Sequence, residues 1–351
     1  MKMNSLKTAA AIGLTALAIS SAAAQTASKP VGYETLNYGA GFTPLGLRLH
    51  AAPVTSGEIA SVQADSITVT GADFGALLTA GTDYVLEIED GSGIIQVVNT
   101  WAGETITTPS DLSAEVAVGT TFTVRPVANL NSVFGSTSAE VNLVEGGGNV
   151  GTADQIWLSD GAGGYDKYYF DAFAPPSFGV QSWVKIDTSN ADGGFAVDGS
   201  SINIIYSDGI VMNSQAGGSH VVTGSVKLGA TELTLLNGFT FVSSVAPAGQ
   251  TLSSALGSTS ATVGFVQGGG NVGTADQVWI QQADSSYTQY YFDEFAPPSF
   301  GVESWVQIDT SNADGGFAVD GATIDMPSGY VVVSQAGGNV TQGVPSFYAS
   351  L

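Results

Sequence analysis

Residues 155–170 read QIWLSDGAGGYDKYYF, and residues 277–292 read QVWIQQADSSYTQYYF. Each stretch holds two short runs of aromatic and aliphatic residues, and a turn rich in small and polar residues separates the runs. Two such runs around a turn are typical of a β-hairpin. The sequence therefore predicts the same antiparallel pair of strands twice in one chain.

The duplication extends well beyond these hairpins. The stretch GGGNVGTADQ at 146–155 returns 122 residues later at 268–277, and DTSNADGGF at 187–195 returns at 309–317. A repeat at a fixed interval indicates two copies of one structural unit. We therefore expect two related units in the second half of the chain.

Strand-like patterns also occur before the repeats. Apolar and polar residues alternate at 66–70, 84–89 and 121–125, whereas helical periodicity is rare. Short strands at regular spacing, with many glycines and threonines, favour sandwiches or barrels. We predict an all-β protein of tandem β-sandwich or barrel-like units after a cleaved signal peptide.

The N-terminus has the three parts of a secretory signal. Lys2 and Lys7 carry charge, residues 9–19 are apolar, and Ala22-Ala23-Ala24 fits a cleavage site. We therefore expect an exported protein that is extracellular, at the cell surface or periplasmic. The apolar run is short for a bilayer span, so we expect no membrane span in the mature chain.

These signals divide the chain into four parts. The predicted parts are a signal peptide at 1–24, an N-terminal β-domain at 25–128, a first β-repeat unit at 129–250 and a second at 251–351. Pro126 and Pro247 lie near the two inner boundaries, where proline interrupts a strand.

The charge balance excludes several classes of function. The chain has 8 Lys and Arg against 31 Asp and Glu, a formal net charge of −23, and no cysteine. Such a chain cannot neutralise phosphates, so we expect no nucleic-acid partner. Without cysteine it has no disulfide framework, thiolate metal site or thiol nucleophile.

Two acidic loops are candidates for a cation site. Oxygen-bearing side chains at short spacing before a Gly-Gly pair can surround Ca²⁺. The candidate ligands are Asp187, Asn190 and Asp192 in the first copy, and Asp309, Asn312 and Asp314 in the second. The spacing differs from a standard calcium loop, and a plain Asx turn is the alternative.

Aromatic residues crowd the same part of each repeat. Candidate ligand-binding residues are Trp157, Tyr169, Trp183, Trp279, Tyr291 and Trp305. A strand alternates its side chains between two faces, so one face would be core and the other could offer rings to a sugar. Burial in the core is the alternative, because aromatic side chains bury large apolar areas.

Short motifs resemble a family of secreted, β-rich proteins of verrucomicrobial and related bacteria. The similar segments are Pro30-Val31-Gly32-Tyr33, Ser56-Gly57-Glu58-Ile59, residues 122–126, and the repeated Ala-Asp-Gln-x-Trp and Tyr-x-x-Tyr-Tyr patterns that begin at Ala153, Ala275, Tyr165 and Tyr287. The resemblance implies export and a β fold. The family has no established activity, so there are no catalytic residues to carry over. This chain differs in its two closely similar copies and its Phe-Ala-Pro-Pro-Ser-Phe insert.

Catalytic patterns are sparse. His50 and His220 lie outside the matched repeat positions, and an acid pair such as Asp171 with Asp187 is weak evidence in so acidic a chain. We therefore predict a secreted structural or adhesive protein of the surface or matrix, without catalytic activity. The alternatives are a glycan-binding module that uses aromatic faces and an acid-pair glycoside hydrolase. The expected partners are a second copy of the chain or an extracellular glycan or protein.

Overall fold

The computed structural model describes residues 31–174, 180–189, 193–296, 302–309, 311 and 316–351. Antiparallel strands dominate these residues, and the helices among them are single turns. The all-β prediction is confirmed. The predicted signal peptide lies outside the described residues. Within them, no helix combines the length and the apolar character that crossing a bilayer requires.

The strands before the repeats are β1 (Val31–Tyr38), β2 (Gly41–Leu45), β3 (Thr55–Glu58), β4 (Ser61–Gln63), β5 (Ser66–Thr68), β6 (Tyr84–Ile88), β7 (Ile95–Val97), β8 (Thr100–Ala102), β9 (Thr105–Thr107) and β10 (Thr121–Pro126). The first repeat contains β11 (Ala128–Asn129), β12 (Gln155–Ser159), β13 (Tyr165–Asp171), β14 (Ser182–Ile186), β15 (Gly194–Val197), β16 (Asn203–Ile204), β17 (Ile210–Ser214) and β18 (Gly218–Ser225).

The second repeat and its leading strands are β19 (Thr231–Leu235), β20 (Gly238–Ser243), β21 (Gln277–Gln281), β22 (Tyr287–Asp293), β23 (Ser304–Ile308), β24 (Gly316–Val319), β25 (Gly329–Ser334) and β26 (Gly338–Gln342). The α-helical turns are α1 (Phe74–Leu77), α2 (Leu130–Phe134) and α3 (Leu252–Leu256). Single 3-10 turns lie at Val150–Thr152, Gly199–Ser201, Val272–Thr274, Gly321–Thr323 and Ser346–Ser350.

Each repeat builds a six-stranded antiparallel sheet. The first sheet has the order β15-β14-β13-β12-β17-β2, and the second has the order β24-β23-β22-β21-β25-β20. A separate pair accompanies each sheet, β1 with β18 and β19 with β26. The predicted hairpins are the β12–β13 and β21–β22 pairs. The two repeats therefore share one topology.

The outer strand of each sheet comes from a part of the chain that precedes its repeat. Gly41 of β2 pairs with Ser214, and Gly238 of β20 pairs with the matching Ser334. Both strands begin with Gly-Phe-Thr, at 41–43 and at 238–240. Strand pairing therefore crosses the sequence-based boundaries at 128 and 250, because each sheet takes an edge strand from the preceding segment.

The residues between β2 and β11 form a separate body that is inserted into the first unit. They make two four-stranded sheets, β3-β10-β6-β7 and β4-β5-β9-β8. A core that includes Ile67, Phe74, Leu86 and Phe122 lies within this body. We refer to residues 51–126 as the inserted region.

The cores of the two repeats lie on one face of each six-stranded sheet. In the first sheet Ile156, Phe170 and Trp183 point into this core, and neighbouring residues in each strand point away from it. The same positions are filled by Val278, Phe292 and Trp305 in the second core, which completes the match of the two units. The other face of each sheet is left for the loops and the surface.

The two units contact each other reciprocally through their outer strands. The amide of Gly209, just before β17, donates to the carbonyl of Phe241 in β20 at 3.0 Å. Gly329, at the start of β25, lies against the backbone of Leu45 in β2, where a Cβ atom would approach to 2.4–2.5 Å. The β2 and β20 edges therefore meet the neighbouring unit.

A buried ionic network joins the inserted region to the first unit. Arg125 donates from Nε and Nη2 to the two carboxylate oxygens of Glu87 at 2.7 and 3.0 Å. Its Nη1 donates to the carbonyl of Ala51 at 2.7 Å and to Oγ of Ser225 at 3.1 Å. Tyr206 donates to Glu87 Oε1 at 2.6 Å. Both charged side chains are buried, which fixes the inserted region against its neighbour.

Candidate functional site

The face opposite the core of the first sheet carries an exposed aromatic pair. Trp157 in β12 alternates with the buried Ile156 and Leu158, so its ring lies on the outer face. Phe42 in β2 meets this ring edge-on, with the ring centroids 4.9 Å apart. Phe42 is 50% exposed and Trp157 is half-buried, so the pair presents apolar surface to solvent.

The second sheet repeats this pair. Phe239 in β20 meets Trp279 in β21 edge-on at 5.2 Å, and Phe239 is 56% exposed. Tyr287 adds a third ring, 6.1 Å from Trp279. We call Phe42 with Trp157, and Phe239 with Trp279, the two aromatic faces.

A charge distinguishes the two faces. Lys167 pairs with Trp157 across the β12–β13 ladder, and its Nζ lies 3.9 Å from the centroid of the indole ring. Gln289 occupies the same register position opposite Trp279. The indole Nε1 atoms donate to Gln155 and Gln277 at 3.0 and 2.9 Å, which fixes both tryptophan rings.

The other four predicted aromatics lie inside the protein. Tyr169, Trp183, Tyr291 and Trp305 are each no more than 2% exposed. Trp183 donates from Nε1 to the carbonyl of Gly135 at 3.0 Å, and Trp305 makes the same bond to Gly257 at 2.9 Å. Stacking a ligand requires an exposed ring, so these four residues take no part in the candidate site.

Tyr169 and Tyr291 lie on the face that the sequence pattern predicts, but they are not exposed there. They lie on the outer face of each sheet, but the glycine-rich loop of each repeat covers them. A Cβ atom at Gly146 would come within 2.5 Å of the Tyr169 ring, and one at Gly268 would do the same at Tyr291. Burial, with the nearby charge of Asp171, raises the pKa of Tyr169 to about 12.

The repeated acids of the first unit hold loops in place. Asp171 accepts from the amides of Gly148 and Phe173 at 2.8 and 2.7 Å. Asp154 accepts from the amides of Val144 and Gln215 at 2.9 and 2.7 Å. Both carboxylates are buried, so this part of the duplication preserves backbone geometry.

The predicted cation loops are only partly within the described residues. Asp187 accepts from the amide and the hydroxyl of Ser189 at 2.9 and 2.6 Å, and Asp309 does the same with Ser311. These bonds lower the pKa of Asp187. Asn190, Asp192, Asn312 and Asp314 lie outside the described residues. Across the described ranges, no group of three or more His, Cys, Asp and Glu side chains is arranged to hold a metal.

Sequence reasoning found the two half-buried tryptophans of the outer faces and missed the exposed phenylalanines beside them. Phe42 and Phe239 lie outside the long repeat, and a three-residue match was the signal that could have found them. That match becomes informative only when the register shows that both strands flank equivalent strands, β17 and β25.

Comparison of the chain with protein-family models, with curated proteins and with solved structures finds no match. The resemblance to the verrucomicrobial family stays a prediction from short motifs.

Proposed function

We propose that this is an exported adhesive protein of the cell surface or matrix, which holds an extracellular polysaccharide on its two aromatic faces without catalysis. The observation that carries the proposal is the repetition of one exposed Phe–Trp pair on both units, at 4.9 and 5.2 Å. Contiguous exposed apolar patches are typical of binding surfaces, and this one recurs at equivalent positions of both units.

The chemistry of the faces suits a sugar chain. The apolar C–H faces of a pyranose ring pack on aromatic rings, and the polar edges of Trp157 and Trp279 are already satisfied by neighbouring glutamines. The net charge of −23 repels polyanions, so a neutral polysaccharide is the expected ligand.

Two weak faces on one chain bind a polymer more strongly than one. When the first face is occupied, the second samples the same polymer at high effective concentration. Linked sites of this kind gain roughly 10²–10⁴ in avidity. An adhesive role follows from this arrangement, because two linked faces hold a repetitive polymer through many weak contacts.

The test uses Trp157→Ala, Trp279→Ala and the double variant, with retention on insoluble neutral polysaccharides such as cellulose, chitin and β-glucan as the measurement. We expect each single variant to bind about 100-fold more weakly and the double variant to lose retention. The control is the double variant Phe195→Ala and Phe317→Ala, which removes equally repeated phenylalanines, 43% and 42% exposed, from other strands. Retention of the Trp double variant at the wild-type level, or no retention of the wild type, would contradict the proposal.

A further inference from the structure

A cleft of about 340 Å³ lies where the inserted region and the two units meet. The inserted region contributes Gln96, the first unit contributes Ser159 and Asp208, and the second contributes Glu232 and Phe241. Its volume is within the range of small-molecule sites, which are often formed between domains. No residue of the cleft belongs to the two aromatic faces.

Two carboxyl groups line this cleft in partly desolvated positions. Burial raises the pKa of Asp208, and a hydrogen bond from the Ser207 hydroxyl at 3.2 Å opposes that shift. Partial burial and the charge of Glu115 raise the pKa of Glu232. The side-chain amide of Asn339 donates to Glu232 at 2.9 Å, which orients the carboxyl group.

An aromatic wall completes the cleft. Phe241 lines it, and Tyr165 of the first unit meets the Phe241 ring edge-on at 5.6 Å. Tyr165 and Phe241 come from different units, so the wall exists only when the two units are packed together.

The internal duplication supplies a control for this site. A second cleft of about 300 Å³ lies at the equivalent contact, between the first unit's leading strands and the second unit's hairpin turn. In the second cleft Ser328 replaces Asp208, because each residue directly precedes the equivalent glycine, Gly329 or Gly209. Pro44 replaces Phe241, because the two residues hold the same register position in their outer strands. The contact between the units therefore forms without the acid and without the ring, which points to a role for both beyond packing.

We propose that the first cleft binds a short neutral saccharide of one or two sugar units. Carboxyl oxygens of Asp208 and Glu232 accept from sugar hydroxyls, the amides of Gln96 and Asn339 donate to them, and Phe241 covers an apolar sugar face. Two carboxyl groups in a small space disfavour an anionic ligand. Among the described residues, no group of three or more acidic, His or Cys side chains is arranged to hold a metal ion.

The experiment titrates the protein with glucose, galactose, mannose, maltose and cellobiose, with calorimetry and ligand-observed NMR as readouts. We expect one of these sugars to bind, and Asp208→Asn and Glu232→Gln each to weaken it by about tenfold or more, since each removes a charged hydrogen-bond acceptor. Glu232 is only partly buried, so its variant tests the site even where Asp208→Asn fails to fold.

Matched variants separate the cleft from the rest of the molecule. Ser328→Ala changes the second cleft and is expected to leave sugar affinity unchanged. The Trp157→Ala and Trp279→Ala double variant is expected to retain cleft binding while it loses polysaccharide retention. Absence of binding by every sugar at millimolar concentration, full affinity in both acid variants, or an equal loss in Ser328→Ala would overturn the proposal.

Discussion

The substitution Glu87→Gln tests whether the buried network holds the inserted region on the first unit. The change keeps the size of the side chain and removes its charge. The wild-type carboxylate accepts from Arg125 at 2.7 and 3.0 Å and from Tyr206 at 2.6 Å. The glutamine amide nitrogen is a donor, so it faces a guanidinium donor at one of these positions. Burial alone would raise the pKa of Glu87, but the charges of Arg125 and Lys227 lower it below its usual value.

The cost of this substitution follows from the charge that remains. Arg125 is 2% exposed, so its cation stays buried after the carboxylate of Glu87 is neutralised. Breaking a buried pair in this way costs about 3–5 kcal/mol. We expect urea denaturation to show a loss of that size in the free energy of unfolding.

A surface pair provides the comparison for Glu87→Gln. Lys185 and Asp166 lie 2.7 Å apart with side chains 32% and 38% exposed, so Asp166→Asn is expected to cost no more than about 1 kcal/mol. The double variant Glu87→Gln with Arg125→Met should recover part of the stability, because it removes the uncompensated charge. A loss below about 1 kcal/mol for Glu87→Gln would refute the reasoning.

Two further predictions concern stability. Gly146→Ala would place a Cβ atom 2.5 Å from the Tyr169 ring, so thermal denaturation should show a loss of about 1–3 kcal/mol in the free energy of unfolding. The control Gly32→Ala has open space around it and should change this free energy by less than about 0.5 kcal/mol. Equal effects of the two variants would contradict the packing of this loop on Tyr169. Burial and the charge of Arg125 lower the pKa of His50 to about 3, so the folded protein holds this imidazole neutral. Stability should fall as the pH drops from about 6.5 toward 3, by up to about 1.4 kcal/mol per pH unit, because the unfolded chain binds the proton first. His50→Gln should reduce this slope between pH 6.5 and 5, and an unchanged slope would exclude the mechanism.

Local patterns predicted the parts of the fold that neighbouring residues determine. The alternation in residues 155–170 and 277–292 predicted both hairpins, and the structure pairs Ile156 with Tyr168 and Val278 with Tyr290. These strands are close in sequence, so turn chemistry and side-chain alternation are sufficient to indicate them. The all-β class followed from the same local signals.

Long-range pairing was beyond the reach of these patterns. Nothing near Gly41 indicates that it will pair with Ser214, since the inserted region and most of the first repeat lie between them. The prediction that Tyr169 binds a ligand was wrong for a similar reason. Alternation places this residue on the outer face, and only the tertiary position of Gly146 shows that a loop covers it. The first cleft is lined by residues from three parts of the chain, and no sequence spacing connects them.

The insertion also bears on the order in which the chain assembles. Val31 must find Ser225, and contacts between such distant residues slow folding. The paired strands of the inserted region are closer in sequence, so we expect this region to close earlier. Its two ends are neighbours, since the amide of Val54 donates to the carbonyl of Val124 at 2.9 Å. Once folded, it draws the end of β2 close to the start of β11. The extra body thereby shortens the effective loop that the first unit must close, and the entropy lost in the late pairing of β2 is smaller than its sequence separation implies.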